Sequence, residues 1–336
     1  MPEPMRRVLI PVQLSDASLP KGPVRRAGGT AMGTSWSVQM AGPGLDLQRA
    51  VEAELDDVIR EMSHWRDDSD LGRFNKAPAG TAVELPADLF HVLAHGAAVG
   101  RAFEGAFNPY AGELVNLWGF GPRNRYEEPG FAPPAAALAD AARERATHAL
   151  TGAVVLNGER RTALQPGGVL LDLSAIAKGF SVDKVARMLE SHGVRDYLVE
   201  VGGELRGAGV KPDGQPWWVE LESLPGAEVP ETVVALHGLS VATSGDYRRF
   251  FENEGARAAH TIDPRTGQPI RHGVASLTVF HPECMLADAL STALTVLGPD
   301  EGMRFAEREG IAMRMLVREG DGFRELASSR FLEMLQ

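Results

Sequence analysis

Apolar positions along the chain follow helical spacing in some segments and strand spacing in others. Between Leu47 and Trp65 they recur every three or four residues, which predicts an amphipathic helix. A second helix is predicted to begin after Pro86 and to run to about Phe103, with Asp88 in its first turn. Strands are predicted where apolar residues alternate or run together, at residues 35–40, 154–156, 169–171, 197–201, 204–206, 217–221, 233–236, 275–280 and 311–317.

Three further helices are predicted in the second half of the chain. Ser174 can cap a helix that runs to about Ser191. Another helix covers residues 285–297, and the third begins after Pro299. Because the strands come in clusters and form few βαβ units, the pattern predicts an α+β fold with a mainly antiparallel sheet.

A short arm is predicted to precede one folded region. A chain of 336 residues favours two subdomains or one large elaborated domain. Residues 1–27 are predicted to be a poorly ordered N-terminal arm or an edge strand, and residues 28–336 the folded domain. Residues 123–150, rich in Pro, Ala and Arg, are predicted to be a surface excursion.

The N-terminal sequence predicts a cytoplasmic protein. Arg6 and Arg7 precede an apolar stretch that Pro11 interrupts, and no cysteine lies nearby to carry a lipid. Neither a secretion signal nor a lipid anchor is therefore recognisable. A periplasmic location follows instead if a leader is missing from the sequence. No stretch approaches the ~18 to 20 apolar residues that a transmembrane helix needs.

Charge and cysteine content exclude several classes of protein. The chain has 34 Lys and Arg against 45 Asp and Glu, and its net charge of −11 argues against nucleic-acid binding through a basic face. The single cysteine, Cys284, excludes an internal disulfide framework and a multi-cysteine zinc site. Packing is its expected role. An apolar content of 44% excludes a mainly disordered chain.

The segment from Asp172 to Lys178 places a carboxylate, a hydroxyl and a lysine around a predicted helix start. The first turn of a helix presents unpaired N–H groups that can bind a phosphate. Lys178 lies where it could reach the same anion. Ordinary helix caps beside a surface lysine explain the same pattern, so the spacing alone leaves both interpretations open.

Two other segments also allow a functional and a structural interpretation. Gly202 and Gly203 interrupt a predicted strand, either as a bulge or as a place where the backbone approaches a ligand. His260 precedes the turn Asp-Pro-Arg-Thr-Gly, where it could serve as a general base or be a structural histidine.

Asp288, Ser291 and Thr292 share one face of the helix predicted over residues 285–297, because they are three and four residues apart. One carboxylate and two hydroxyls are oxygen ligands that suit Mg²⁺ or Ca²⁺ rather than zinc. An aspartate among apolar neighbours is costly unless it is paired or metal-bound. The segment therefore predicts a metal site or a hydrogen-bonded buried aspartate.

Eight segments, taken in order, resemble the motifs of the ApbE family, the FAD:protein FMN transferases. No single segment is specific, but their shared order argues against a chance match. The segments are residues 32–34, residues 65–69 with 74–75, and residues 117–122, 172–179, 201–205, 242–247, 260–267 and 287–290.

The resemblance implies an α+β fold whose two closely packed subdomains hold FAD between them. It implies an enzyme that uses a divalent metal, usually Mg²⁺, to transfer FMN from FAD to a Thr or Ser hydroxyl of an acceptor flavoprotein. The products are a phosphoester-linked FMN and AMP. Two alternatives are a Mg²⁺-dependent FAD pyrophosphatase that yields FMN and AMP, and a non-enzymatic flavin carrier. No Gly-x-Gly-x-x-Gly follows a predicted strand, which argues against a redox flavoenzyme.

The resemblance also assigns ligand-binding residues. Trp65 stands at a position where an aromatic residue, commonly Tyr, is expected to stack on the flavin nucleotide. The residues expected to line the FAD site are Met32, Trp65, Trp118, Gly119, Phe120, Asp172, Lys178 and Ile262.

The metal is expected to bind the backbone carbonyl of Ala175 and the side chains of Asp288 and Thr292. Some family members carry a second Asp where this chain has Ser291, so the site here has one carboxylate fewer. His260 is the expected base for the acceptor hydroxyl, and Asp288 is the second residue expected to be catalytic.

Overall fold

The computed structural model describes residues 6–11, 19–246, 249–253 and 255–335. The chain divides into two compact units. The first unit comprises Met1–Asp56, Lys178–Gly245 and Gly273–Gln336, and the second comprises Asp57–Ala177 and Asp246–His272.

An antiparallel sheet of eight strands forms the centre of the first unit. Alternate residues of its strands are buried, as in Trp36, Val38 and Met40, which confirms the predicted α+β class and its antiparallel character. In spatial order the strands are β18 (Gly322–Ala327), β17 (Ala312–Glu319), β16 (Val274–His281), β11 (Leu239–Gly245), β8 (Glu204–Ala208), β7 (Asp196–Val201), β3 (Thr34–Ala41) and β2 (Arg25–Ala31).

A smaller sheet of the first unit contains β9 (Trp217–Glu220), β10 (Glu231–Leu236) and β1 (Arg6–Leu9). Strand β1 pairs in parallel with β10, and the side chain of Leu9 is fully buried. Within the predicted arm, the structure therefore has an edge strand at residues 6–9, and β2 begins inside it at residue 25. Residues 1–5 and 12–18 of the arm lie outside the described residues.

Among the described residues, four helices contribute to the first unit: α1 (Leu47–Met62), α6 (Ala177–Ser191), α7 (Cys284–Glu309) and α8 (Ser329–Leu332). The predicted stripe of α1 is buried at Val51 and Leu55, where it packs in one core with Val182 and Val185 of α6. In α7, Gly298 leaves the helical conformation with φ 78° immediately before Pro299. The predicted boundary between two helices is thus a kink within one element.

The described part of the second unit contains helices and three short sheets. Its helices are α2 (Asp70–Lys76), α3 (Ala87–Ala102), α4 (Gly112–Leu117) and α5 (Ala136–His148), which continues as a π-helical turn over Ala149–Ala153. Its sheets are β4 (Thr81–Glu84) with β6 (Thr162–Gln165) and β5 (Leu156–Asn157), β12 (Phe250–Asn253) with β13 (Ala256–Ala259), and β14 (Ile262–Asp263) with β15 (Gln268–Pro269). None of the helices in the described part of the chain is both long and apolar enough to cross a membrane.

Two local predictions are wrong, and a third segment contains a helix that the pattern did not predict. The supposed surface excursion contains α5, whose buried stripe consists of small residues, including Ala139 and Ala142, and gives little apolar signal. Residues 169–171 form only an isolated parallel bridge, between Leu170 and Ala111, because the side-chain amide of Asn75 pairs with both backbone groups of Leu171. Helix α6 begins at Ala177 rather than after Ser174, because residues 174–176 form a turn.

Gly179 lies where α6 approaches α7. A Cβ atom at this position would lie 2.8 Å from the Cβ of Asp288, and closer still to the carbonyl oxygen of Cys284. We expect Gly179→Ala to lower the free energy of unfolding by about 1–3 kcal/mol, because neither backbone can shift cheaply. A lower Tm in differential scanning calorimetry would show this loss.

Gly96→Ala on α3 provides a matched control for that substitution. A Cβ there would meet only Phe107 at 3.5 Å and Pro109 at 3.6 Å, which are ordinary packing distances. Alanine also favours a helix over glycine by about 1 kcal/mol. An equal loss of Tm in both variants would contradict the steric explanation for Gly179.

Candidate functional site

One lysine and two carboxylates lie together in the first unit. The Nζ atom of Lys178, on α6, forms an ion pair with Oε1 of Glu204, the first residue of β8. Oδ2 of Asp288, on α7, accepts a hydrogen bond of 2.9 Å from the backbone N–H of Gly179. Glu204 is 2% exposed and Asp288 is 3% exposed. We call Lys178, Glu204 and Asp288 the Lys178 cluster.

Burial and mutual charge set the pKa values in the Lys178 cluster. Burial raises the pKa of Glu204 to about 7, although the neighbouring ammonium opposes this increase. Burial also raises the pKa of Asp288. Burial alone would lower the pKa of Lys178, but the two carboxylates outweigh it and raise this pKa. One ammonium faces two buried carboxylates, so a further cation would complete the balance of charge.

Three hydroxyl groups of the same unit lie together, and two of them belong to the helix that carries Asp288. Oγ of Ser244, on β11, is 2.7 Å from Oγ of Ser291 and 3.1 Å from Oγ1 of Thr292. Ser291 is fully buried and also donates a hydrogen bond of 2.9 Å to the carbonyl oxygen of Asp288. The structure therefore brings both predicted metal-binding side chains onto one helix, beside a third hydroxyl from the sheet.

The donors of the first unit fit a hard divalent cation such as Mg²⁺. A carboxylate and neutral hydroxyls are the oxygen ligands that this ion prefers. Oε2 of Glu204 is buried without a hydrogen-bond partner among the described residues, whereas Oε1 is paired with Lys178. Within the described residues, no three His, Cys, Asp or Glu side chains form a metal site. The remaining ligands would be neutral oxygens, and Ala175, the predicted carbonyl ligand, lies in the second unit.

Met32 occupies a tight turn between β2 and β3. Ala31 pairs with Thr34, so Met32 and Gly33 form a two-residue hairpin loop. Both have positive φ, 52° and 74°, as a type I′ turn requires. A methionine in this conformation carries local backbone strain, a feature that clusters at functional sites. This strain is compatible with the predicted contact between Met32 and FAD.

Trp65 presents an unusually exposed aromatic face in the second unit. Its side chain is 50% exposed, and the guanidinium carbon of Arg125 lies 5.8 Å from the ring centroid. The ring of His64 is 5.5 Å away, tilted by 42°. An exposed indole beside a cation suits the predicted stacking on a flavin nucleotide.

Asp172 lies just before the turn of residues 174–176 that leads into α6. Its Oδ1 accepts hydrogen bonds from both the backbone N–H and the hydroxyl of Ser174, and it lies 3.7 Å from Nδ1 of His64. Asp172 and His64 line a pocket with a cavity volume of about 30 Å³. That volume holds about one water molecule, whereas a typical ligand pocket measures about 300–1,000 Å³. This pocket alone is too small for a dinucleotide.

The other FAD-lining predictions of the second unit fall in an aromatic core. The Trp118 indole is 4% exposed and donates a hydrogen bond of 2.8 Å to the carbonyl of Gly267. Phe120 and Ile262 are also buried in this core. Gly119 lies between Trp118 and Phe120, and its carbonyl accepts the N–H of Tyr126 at 3.0 Å. Contact of these four residues with FAD stays a prediction.

His260 is held next to this aromatic core. Its backbone N–H donates to the carbonyl of Arg249 at 3.1 Å, and its Nδ1 lies 3.2 Å from the same oxygen. A carbonyl can only accept, so this contact assigns the proton to Nδ1 and leaves Nε2 as the basic nitrogen. The ring meets Phe120 edge-on at 6.2 Å. In this tautomer, Nε2 is the nitrogen that would act as a general base.

Sequence reasoning did not assign Glu204, Ser244 or His64 to the site. Glu204 and Ser244 both lie inside segments that carry the family resemblance, Gly-Gly-Glu and Thr-Ser-Gly, and those segments were their only signal. His64 had no signal except its position beside Trp65. Spacing cannot show that these side chains reach Lys178, Thr292 and Asp172.

The lone thiol provides a test of burial next to the Lys178 cluster. Cys284 is fully buried, and burial raises its pKa well above the usual value. The thiolate is the reactive form, so we expect native protein to resist labelling by an aromatic disulfide reagent. Unfolding in urea should release one thiol per chain. Stoichiometric labelling of native protein within minutes would contradict the structure.

Comparisons with known proteins agree on one family. A model described as the ApbE family matches residues 32–315. A Haemophilus influenzae protein named FAD:protein FMN transferase is 39% identical over 320 residues, covering 92% of this chain and 90% of that protein. A Vibrio cholerae protein of the same name is 39% identical over 315 residues, covering 91% of each chain.

A solved structure gives the same result in three dimensions. The chain is similar to the apo form of Pseudomonas stutzeri flavinyl transferase ApbE, with a TM-score of 0.85 and 38% identity. The match covers 95% of this chain and 98% of that one. The resemblance therefore extends far beyond the eight short segments.

Proposed function

The chain belongs to the ApbE family, and on that premise we propose that it is a transferase that moves FMN from FAD to a protein. The acceptor hydroxyl belongs to a Thr or Ser of a flavoprotein, the reaction requires a divalent metal, and AMP leaves. These finer features are part of the proposal.

The observation that carries the proposal is the Lys178 cluster together with the adjacent hydroxyl of Thr292. A pyrophosphate brings negative charge to a protein of net charge −11. Lys178 and a bound cation would compensate for that charge locally. A flavin carrier without chemistry has no need for a buried carboxylate beside oxygen donors, which supports an enzyme.

The transfer step balances as a substitution at phosphorus. The acceptor hydroxyl oxygen forms a bond to the FMN-side phosphorus, and the bond from that phosphorus to the oxygen of AMP breaks. Nε2 of His260 takes the hydroxyl proton, because an alcohol is a poor nucleophile near neutral pH. Trp65 orients the flavin nucleotide by stacking.

Residues of the first unit act on the pyrophosphate and on the departing AMP. Lys178 attracts the pyrophosphate, and Glu204 holds its ammonium in place before the substrate arrives. Asp288 and Thr292 would hold Mg²⁺. When bound, the metal would stabilise the negative charge that develops on the departing AMP phosphate.

The test is incubation of the protein with FAD, Mg²⁺ and an acceptor flavoprotein domain that carries a target Thr. AMP release and in-gel flavin fluorescence are measured, with a chelator as the control. A fluorescent acceptor band that depends on metal is the expected result. AMP and free FMN without a band would indicate the pyrophosphatase, and bound FAD without AMP would indicate the carrier.

A further inference from the structure

The side chain of Ser244, on β11, contacts the hydroxyl groups of both Ser291 and Thr292 of α7. Its backbone is fixed by antiparallel pairing with β16, where it lies opposite Leu277. The side chain therefore approaches α7 from a rigid strand. Neither the sequence motifs nor the comparisons assign it a role.

The directions of the hydroxyl hydrogen bonds follow from the available donors. Ser291 has one O–H, and the carbonyl oxygen of Asp288, 2.9 Å away, can only accept it. In the 2.7 Å contact between Ser244 and Ser291, Ser244 must then be the donor. Its single hydrogen is used there, so Thr292 must donate in the 3.1 Å contact with Ser244.

The hydrogen bonds thus run in one direction, from Thr292 through Ser244 and Ser291 to the carbonyl of Asp288. The Thr292 hydrogen points toward Ser244, and the lone pairs of Oγ1 point elsewhere. A hydroxyl with its hydrogen fixed on a protein acceptor is ready to offer those lone pairs to a hard cation. Gly179 fixes Asp288 in the same manner by donating its N–H to Oδ2.

We propose that Ser244 is a positioning residue that orients the Thr292 hydroxyl for binding a divalent metal. The inference rests on the proposed function, because it takes Thr292 as a metal ligand. It also gives a role to Ser291, which extends the chain of hydroxyls instead of supplying a second carboxylate. Partners that orient metal ligands commonly contribute about 10–100-fold to metal affinity.

Ser244→Ala is the direct test, with Mn²⁺ as the probe. Free Mn²⁺ is measured by electron paramagnetic resonance while it is titrated into the metal-free protein. We expect about 10-fold or greater loss of Mn²⁺ affinity, within the range for such partners. Ser244→Thr keeps the hydroxyl and should restore most of the affinity. The Mg²⁺ concentration for half-maximal AMP release should rise in parallel, with kcat at saturating Mg²⁺ changing less.

Ser240→Ala is the matched control on the same strand. Ser240 is fully buried and donates to the carbonyl of Pro282 at 3.2 Å, away from α7's hydroxyls. Ser240→Ala should lower the Tm at least as much as Ser244→Ala does, while its Mn²⁺ affinity stays equal to that of the wild type. Equal Mn²⁺ affinity in Ser244→Ala and the wild type would overturn the proposal, and so would a wild-type chain that binds no Mn²⁺. If the wild type instead released AMP equally fast with and without metal, the proposed function would be contradicted.

Discussion

Asp288→Asn should lower the rate of metal-dependent AMP release by about 100-fold or more. The substitution keeps the shape of the side chain but removes its charge. Residues that only orient metal ligands contribute about 10–100-fold to affinity, so a carboxylate that itself binds the metal should contribute at least as much. Initial rates of AMP release across a Mg²⁺ titration measure the effect.

The fold should survive this substitution, because an amide oxygen can still accept the N–H of Gly179 at the position of Oδ2. Loss of the charge should even relieve part of the cost of burying two carboxylates beside one ammonium. Asp300→Asn, an exposed site on the same helix, is the matched control and should behave as the wild type. An Asp288→Asn enzyme with an unchanged Mg²⁺ requirement would remove this residue from the metal site.

His260→Ala should slow FMN transfer by about 10² to 10⁴-fold while FAD binding stays close to that of the wild type. The magnitude is the usual contribution of a general base to the rate. The tautomer supports the role of His260 as the base, because the contact of Nδ1 with the Arg249 carbonyl makes Nε2 the nitrogen that accepts a proton. Single-turnover transfer to the acceptor and quenching of FAD fluorescence measure the two properties separately.

His148→Ala provides the control, since His148 is an exposed residue at the end of α5 in the same unit. Added imidazole should restore part of the activity of His260→Ala if the missing function is proton transfer. Unchanged transfer would mean that another group is the base. Loss of FAD binding with normal turnover of the bound substrate would make His260 a binding residue instead.

The local pattern predicted those elements whose stabilising contacts repeat at a fixed spacing. The apolar stripe of α1 determined that helix, because Val51 and Leu55 must be buried on one face. The pattern failed for α5, where the buried stripe consists of alanines that differ little from their neighbours in hydrophobicity. It also failed at Leu171, where the side chain of Asn75 replaces a neighbouring strand.

The sequence by itself determined the family and the antiparallel α+β class, because ordered motifs and the spacing of apolar positions are properties of the chain alone. Tertiary structure decided which groups act together. Lys178 meets Glu204 from another element, and Asp288 accepts the N–H of Gly179, 109 residues away in sequence. Burial and hydrogen-bond direction depend on such distant neighbours, and no local pattern contains them.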